Sequence, residues 1–368
     1  MGSASTTSPS AVRRRNLLVA TTEKGPTAAP SLVRAIIGRG LRILSGIQPT
    51  GAKHLGNYVG AIRRWVEQQD EADCFYPIVD LHSITFLPRD PAELREATLD
   101  LAALLLAAGL DPDRSTLFVQ SHVPEHPRLA WVLECLTPFG ELRRMPQFRE
   151  RAAAQQSFSV GLLTYPVLQA ADILLYRADA VPVGEDQRQH LELARDVAQR
   201  FNQRFGETFT VPEGTYPEVG AKIMDLQEPT RQMSTSQSSE LGLVHVLDPP
   251  DQVRRKLRSA VTDSGRDVVR SPTKPGITNL IEIMSAATGE APEAIEAHYD
   301  GAGYGAFKDA VAEALIELFD PIRLRYAELR ADPGGLSAVL AGGAEKAHAI
   351  AAETLSLAYE QVGFLPPA

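Results

Sequence analysis

The sequence predicts an α/β protein, a doubly wound parallel sheet followed by a helical C-terminal domain, and two observations carry that prediction. From residue 41 to about 240, short apolar runs with strand character alternate with segments of helical period, the pattern of βαβ units in a Rossmann-like sheet. From 241 to 368 the strand-like runs cease and nearly every stretch reads as helix. Residues 1–40 belong to neither part. They are rich in Ser, Thr and Ala, with scattered Arg and no apolar period before about Leu32, and are expected to form a disordered tail. A transit peptide has a similar composition and is the alternative.

In order, LRILSGI (41–47) is a strand that runs into the turn Gln48-Pro49-Thr50-Gly51. Leu55, Tyr58, Val59, Ile62 and Val66 then fall at i, i+3, i+4, i+7 and i+11, the apolar face of a helix. CFYPIVDLHSIT (74–85) reads as a buried strand, and residues 90–110 as a helix with an acidic first turn. STLFVQS (115–121) is a strand and PRLAWVLECL (127–136) a helix. The polar stretch 140–160 reads as a mobile or surface segment. Residues 162–176 follow as helix, DAVPVG (179–184) as strand, and 185–201 as a helix with Leu193, Val197 and Phe201 along one side. The C-terminal helices are expected at 250–260, 276–288, 305–328 and 335–361.

Composition excludes several classes. A hydrophobic content of 44% and a charged content of 23% are ordinary for a soluble globular chain. No apolar run reaches the roughly 18–20 residues that span a bilayer, so a cytoplasmic protein without a membrane partner is expected. The two cysteines, Cys74 and Cys135, each lie in an apolar segment and read as buried thiols in a reducing compartment. No Cys/His cluster has zinc spacing, so no metal site is expected. The net charge is −9, yet residues 1–42 carry seven Lys/Arg against the single acid Glu23. The rest is therefore strongly acidic, which argues against nonspecific coating of nucleic acid while leaving room for local basic patches.

Three motifs carry chemistry. In SGIQPTGAKHLGNYVGAI (45–62) a strand enters a turn and His54-Leu55-Gly56-Asn57 opens a helix. The helix N-terminus aims N–H groups at an anion, Gly56 lets a base or phosphate approach the backbone, and His54 and Asn57 can donate to phosphoryl oxygens; a simple helix cap is the alternative. In VPVGEDQRQHLELARD (181–196), Gly184, Glu185 and Asp186 fall at the C-terminal end of a strand, where open α/β sheets bind ligands. A carboxylate there can hold ribose hydroxyls, though acids at a helix start are also ordinary caps. In GLLTYPVLQAADILLY (161–176), Tyr165, Gln169 and Asp172 share one helical face. An acid in a run this apolar is costly unless paired or used, so Asp172 is a candidate acceptor for a ligand N–H or O–H, with a structural role as the alternative.

These stretches in this order, together with AVTDS (260–264), KPGITNLIEI (274–283) and GYGAFK (303–308), resemble class I aminoacyl-tRNA synthetases of the tryptophanyl type over about residues 41–365. The resemblance implies a nucleotide-binding catalytic domain at 41–240 with a dimer-interface insertion around 135–175, and an anticodon-binding domain at 241–368. It implies that a homodimer activates L-tryptophan with ATP and Mg²⁺ to tryptophanyl-adenylate and transfers it to tRNA(Trp). The likeness places His54, Gly56 and Asn57 on ATP phosphates and Gln48, Pro49 and Thr50 beside them. Gly184, Glu185 and Asp186 fall on the ribose, and the Ile223 backbone on adenine. Asp172 matches the acceptor of the indole N–H; Tyr165 and Gln187 match groups around the amino-acid ammonium, with Gln169 on the same helical face. His82, Leu44, Val181 and Val183 match the ring pocket.

One stretch departs from the family. Its Lys-Met-Ser-Lys-Ser loop corresponds here to Gln232, Met233, Ser234, Thr235 and Ser236, so both lysines that would neutralise the departing pyrophosphate are replaced. Arg231, one residue early, and Arg149 and Arg151, in MPQFRER (145–151), are the substitute cations expected. An active enzyme with an altered loop is the reading adopted. The alternative is a weakly catalytic or non-catalytic paralogue that binds tryptophan or tRNA; a tyrosyl enzyme is the same-class alternative. RRKLR (254–258) is a candidate RNA-contacting patch, a solvated helix face being the other reading.

Overall fold

The computed structural model describes residues 40–86, 90–154, 158–216, 222–235 and 237–366. The expected tail up to residue 39 and Ser236 of the loop lie outside the described residues, as does the side chain of Arg151.

Strands β1 (Arg42–Leu44), β2 (Asp73–Ile78), β3 (Thr116–Val119), β4 (Ala180–Pro182) and β5 (Glu213–Thr215) form one sheet in the order β3-β2-β1-β4-β5. Every pairing is parallel, with Ile43 opposite both Cys74 and Ala180. β2 and β3 are almost wholly buried, which is why they read as continuous apolar runs. The chain winds outward from β1 to β3, then returns to the other side of β1 with β4. Strand order therefore reverses between β1 and β4, and their C-terminal ends frame a crevice.

Helix α1 runs through three consecutive segments, Leu55–Asn57, Tyr58–Ile62 and Arg63–Gln68, the middle one wound wider as a π turn. The following helices are α2 (Asp80–Ser83), α3 (Pro91–Ala107), α4 (Glu125–Glu134), α5 (Phe139–Leu142), α6 (Pro146–Ala154), α7 (Val160–Leu175) and α8 (Arg188–Phe205). The C-terminal part adds α9 (Pro250–Ser259), α10 (Pro275–Thr288), α11 (Pro292–His298), α12 (Tyr304–Arg330) and α13 (Pro333–Val362). α13 returns to the sheet and packs on β3 and α4. A Cβ on Gly343 of this helix would collide with the Leu117 carbonyl oxygen, so only glycine allows the approach. Ala347, Ala351 and Ala358 of α13 share one core with Phe75, Phe118, Val167 and Phe201.

Four expectations are corrected. Residues 80–86 are helical rather than strand, because the Asp80 carboxylate accepts from the Leu81 and Ser121 backbone N–H groups, each at 3.0 Å, and ends β2 in a turn. The polar 140–160 stretch contains α5 and α6, which bury Leu142 and Phe148. β5, three residues without apolar alternation, and the short α11 were not anticipated. Cys74 is buried, but Cys135, just past the end of α4, is exposed; both are free thiols. No described helix is long and apolar enough to cross a membrane.

Candidate active site

A cleft of about 630 Å³ opens where strand order reverses, lined by the turn after β1, by α7 and by the segment after β4. Of the residues singled out in the sequence, Leu44, Gln48, Asn57, His82, Tyr165, Gln169, Asp172, Val181, Val183, Gly184, Asp186 and Gln187 line it. Trp65, Val79 and Gln147 also line it and were not foreseen. A Cβ on Gly46, another lining residue, would lie 2.8 Å from Val79 Cγ1, so the β1 turn can press against β2 only with glycine there.

Asp172 is 3% exposed. Its Oδ1 accepts from Gln120 Nε2 at 2.7 Å and from His126 Nδ1 at 2.6 Å, and its Oδ2 from His82 Nε2 at 2.8 Å. The His126 ring is held in turn by the Tyr176 hydroxyl, 2.8 Å from Nε2. Burial raises the Asp172 carboxyl, but hydrogen bonds from His126 and His82 outweigh it and hold the group well below the usual carboxylate range. A carboxylate oxygen offers about two lone-pair positions. Oδ1 is therefore filled, while among the described residues Oδ2 keeps one acceptor position, in a residue that lines the cleft. Gln120, His126 and Tyr176 were missed by the sequence reading; the signal was a polar residue, His126, on an otherwise apolar helix face. Tyr165, two turns before Asp172 on α7, meets the buried His190 Nε2 at 2.9 Å through its hydroxyl. Burial lowers His190 to about 4, so the ring is neutral near pH 7.

At the other end, Gln187 donates to Asp186 at 2.8 Å. Glu185 is turned outward into a two-pronged pair with Arg188, at 2.7 and 2.8 Å, which lowers its pKa. Asn57 Oδ1 caps the His54 backbone N–H at 3.1 Å, so the capping role weighed for this motif is present beside the cleft-lining one. His54 is buried, and burial first, then the charges of His245 and Lys53, bring it down to about 4. It can donate a hydrogen bond to an anion but brings no charge near pH 7.

The 231–240 loop lies over this end. Met233 is buried, its N–H bonded to the Ile223 carbonyl at 3.1 Å, and the Thr235 methyl sits 3.0 Å from where a Cβ on Gly51 would be. Gln232 and Thr235 are exposed. Arg231 is not free to replace a lysine: it pairs with Glu228 at 3.1 Å, approaches Asp225 at 3.9 Å and donates to the Gln237 carbonyl at 2.9 Å. Arg149 is exposed on α6, the helix whose Gln147 reaches the cleft. The RRKLR segment is largely neutralised within the chain: Arg254 pairs with Glu313, Arg258 with Asp309, and the buried Lys256 with Glu240 and Asp248.

The family described as tRNA synthetases class I (W and Y) matches residues 38–320. The chain belongs to that family. It is 57% identical over 330 residues to tryptophan–tRNA ligase 2 of Streptomyces avermitilis, covering 88% of this chain and 97% of the relative. Among solved structures it resembles the tryptophanyl-tRNA synthetase of Mycoplasma pneumoniae, at 37% identity and a TM-score of 0.80 over 88% of this chain and 98% of that one. It also resembles the Campylobacter jejuni enzyme complexed with ADP and tryptophan, at 35% identity and a TM-score of 0.78 over 88% and 100% of the two chains. Relatives so similar carry the name of the ligase, and a silent binding paralogue finds no support among them.

Proposed function

We infer that this synthetase is a tryptophan–tRNA ligase, and the observation that carries the reading is the open acceptor position on Asp172 Oδ2 within the cleft. An indole N–H can fill it, with Leu44, Val181, Val183 and His82 as the ring wall and Tyr165, Gln169 and Gln187 around the ammonium. A site built to take that hydrogen bond rejects side chains lacking the donor. ATP lies across the crevice, its phosphates toward Gln48, Pro49, Thr50, His54, Gly56 and Asn57, its ribose at Gly184–Asp186 and its adenine at the Ile223 backbone. The tryptophan carboxylate oxygen then bonds the α-phosphorus as the bond to the β-phosphate oxygen breaks, giving tryptophanyl-adenylate and pyrophosphate. The 3′-terminal hydroxyl of tRNA(Trp) next attacks the acyl carbon, and AMP leaves. The chain's work is positioning and charge stabilisation.

Mg²⁺ arrives with ATP as part of the substrate. Among the described residues no group of three His, Cys, Asp or Glu side chains could hold a metal ion. Exposed Trp131, Phe139 and Val160 (64%, 62% and 75% exposed) support a homodimer interface around 135–175, and the α9–α13 region is assigned to the anticodon in a cytoplasmic enzyme. The test is amino-acid-dependent ATP–pyrophosphate exchange. Tryptophan should drive it and tyrosine should not; a tyrosine preference would sink the reading.

A further inference from the structure

We propose that Lys53 is a phosphate-contacting cation of this chain, taking over charge that the 231–240 loop does not bring. The proposal rests on the ATP orientation inferred above. Lys53 directly precedes His54, and its ammonium donates at 2.8 Å to the carbonyls of both Gln48 and Thr50. Gln48 and Asn57 line the cleft, and the Thr235 methyl closes on Gly51 of the same turn. The ammonium therefore sits where the turn, the His54 segment and the loop converge. Two of its three N–H donors are used by carbonyls, and among the described residues no carboxylate pairs with it. A half-buried ammonium without a counter-ion is costly, and burial lowers Lys53 to about 8. An incoming polyphosphate supplies the missing counter-charge.

The loop and the His54 segment bring no other uncommitted charge to this end among the described residues. Arg231 is held by Glu228, Asp225 and the Gln237 carbonyl, Gln232 and Thr235 are uncharged, and His54 is neutral near pH 7. His54, beside it in the chain, feels the Lys53 charge, and His245, whose backbone bridges to His54, lies 3.6 Å from Glu240.

A structural brace on the turn would use the same two carbonyls, so the experiment separates the roles. ATP and AMP binding and tryptophan-dependent exchange are measured for the unmodified protein, Lys53→Met and Lys53→Arg. Loss of a phosphate contact weakens ATP about 10- to 100-fold and slows exchange on the order of 10²-fold, leaves AMP binding within about twofold, and is partly reversed in Lys53→Arg. Adding Gln232→Lys and Thr235→Lys to Lys53→Met should restore exchange. Equal losses of ATP and AMP, or unchanged ATP affinity, would overturn the proposal. Should Lys53→Met fail to fold, the pH profile decides. The unmodified kcat/KM should fall as pH rises through about 8, where the ammonium deprotonates, and Lys53→Arg should lack that limb; the same limb in both proteins refutes the assignment. An unmodified protein that binds ATP but shows no role for Lys53 leaves the ligase reading standing. One that neither binds ATP nor exchanges pyrophosphate takes both down.

Discussion

Asp172 is a buried carboxylate held by three side chains. Its three hydrogen-bond donors come from the end of β3, from α2 and from α4, so the carboxylate is oriented before any ligand arrives. Asp172→Asn keeps the shape but replaces a charged acceptor by a neutral one. A hydrogen bond to a charged group contributes about 1.5–3 kcal/mol, so the KM for tryptophan should rise about 10- to 100-fold, with a smaller change in kcat; exchange kinetics over a tryptophan series check this. The suspicion attached to Asp172 was legible in the sequence because an acid among apolar residues stands out by itself. Its partners were not. Gln120 and His126 lie 52 and 46 positions from Asp172, and Tyr176 lies 50 positions from the His126 ring it holds; no local pattern brings such pairs together. Lys53 was overlooked for a related reason: a lysine in a polar turn reads as solvated until its carbonyl partners are seen.

At the scale of elements, α13 is a structural component of the nucleotide-binding sheet although it belongs to the C-terminal helical part. Gly343 lets it lie on the β3 backbone. Gly343→Val should force the helix off the strand and cost about 2–3 kcal/mol, seen as a lower urea midpoint, with ATP binding weakened only in so far as the sheet loosens. Long periodic elements such as α3, α7, α8 and α12 were readable because their apolar positions recur over many turns. The 80–86 segment misled because its residues suit a strand, and only the contact of Asp80 with Ser121 on the neighbouring strand turn decides for helix. α5 and α6 hid because a mostly polar helix anchored by Leu142 and Phe148 has too narrow an apolar stripe to announce itself.

For the whole molecule, buried neutral histidines set the acid limit. His54 and His190 are both lowered to about 4 by burial, whereas an unfolded histidine titrates near about 6.5. Between these values the unfolded chain binds more protons, so stability is full above about pH 6.5 and is lost progressively as pH falls to about 4, by on the order of 2–3 kcal/mol per histidine. Asp172, depressed in the folded chain, extends the loss to more acidic pH. Thermal melts should show a falling Tm across this window, and His190→Gln should reduce the slope. The order of events during synthesis follows from α13. The strands β1, β2 and β3 are complete once residue 119 has been made, yet the helix that covers β3 is the last of the described elements. A nascent polypeptide therefore carries an uncovered apolar edge strand from Val119 until Pro333–Val362 has been made, the period in which a holding chaperone has a surface to grip.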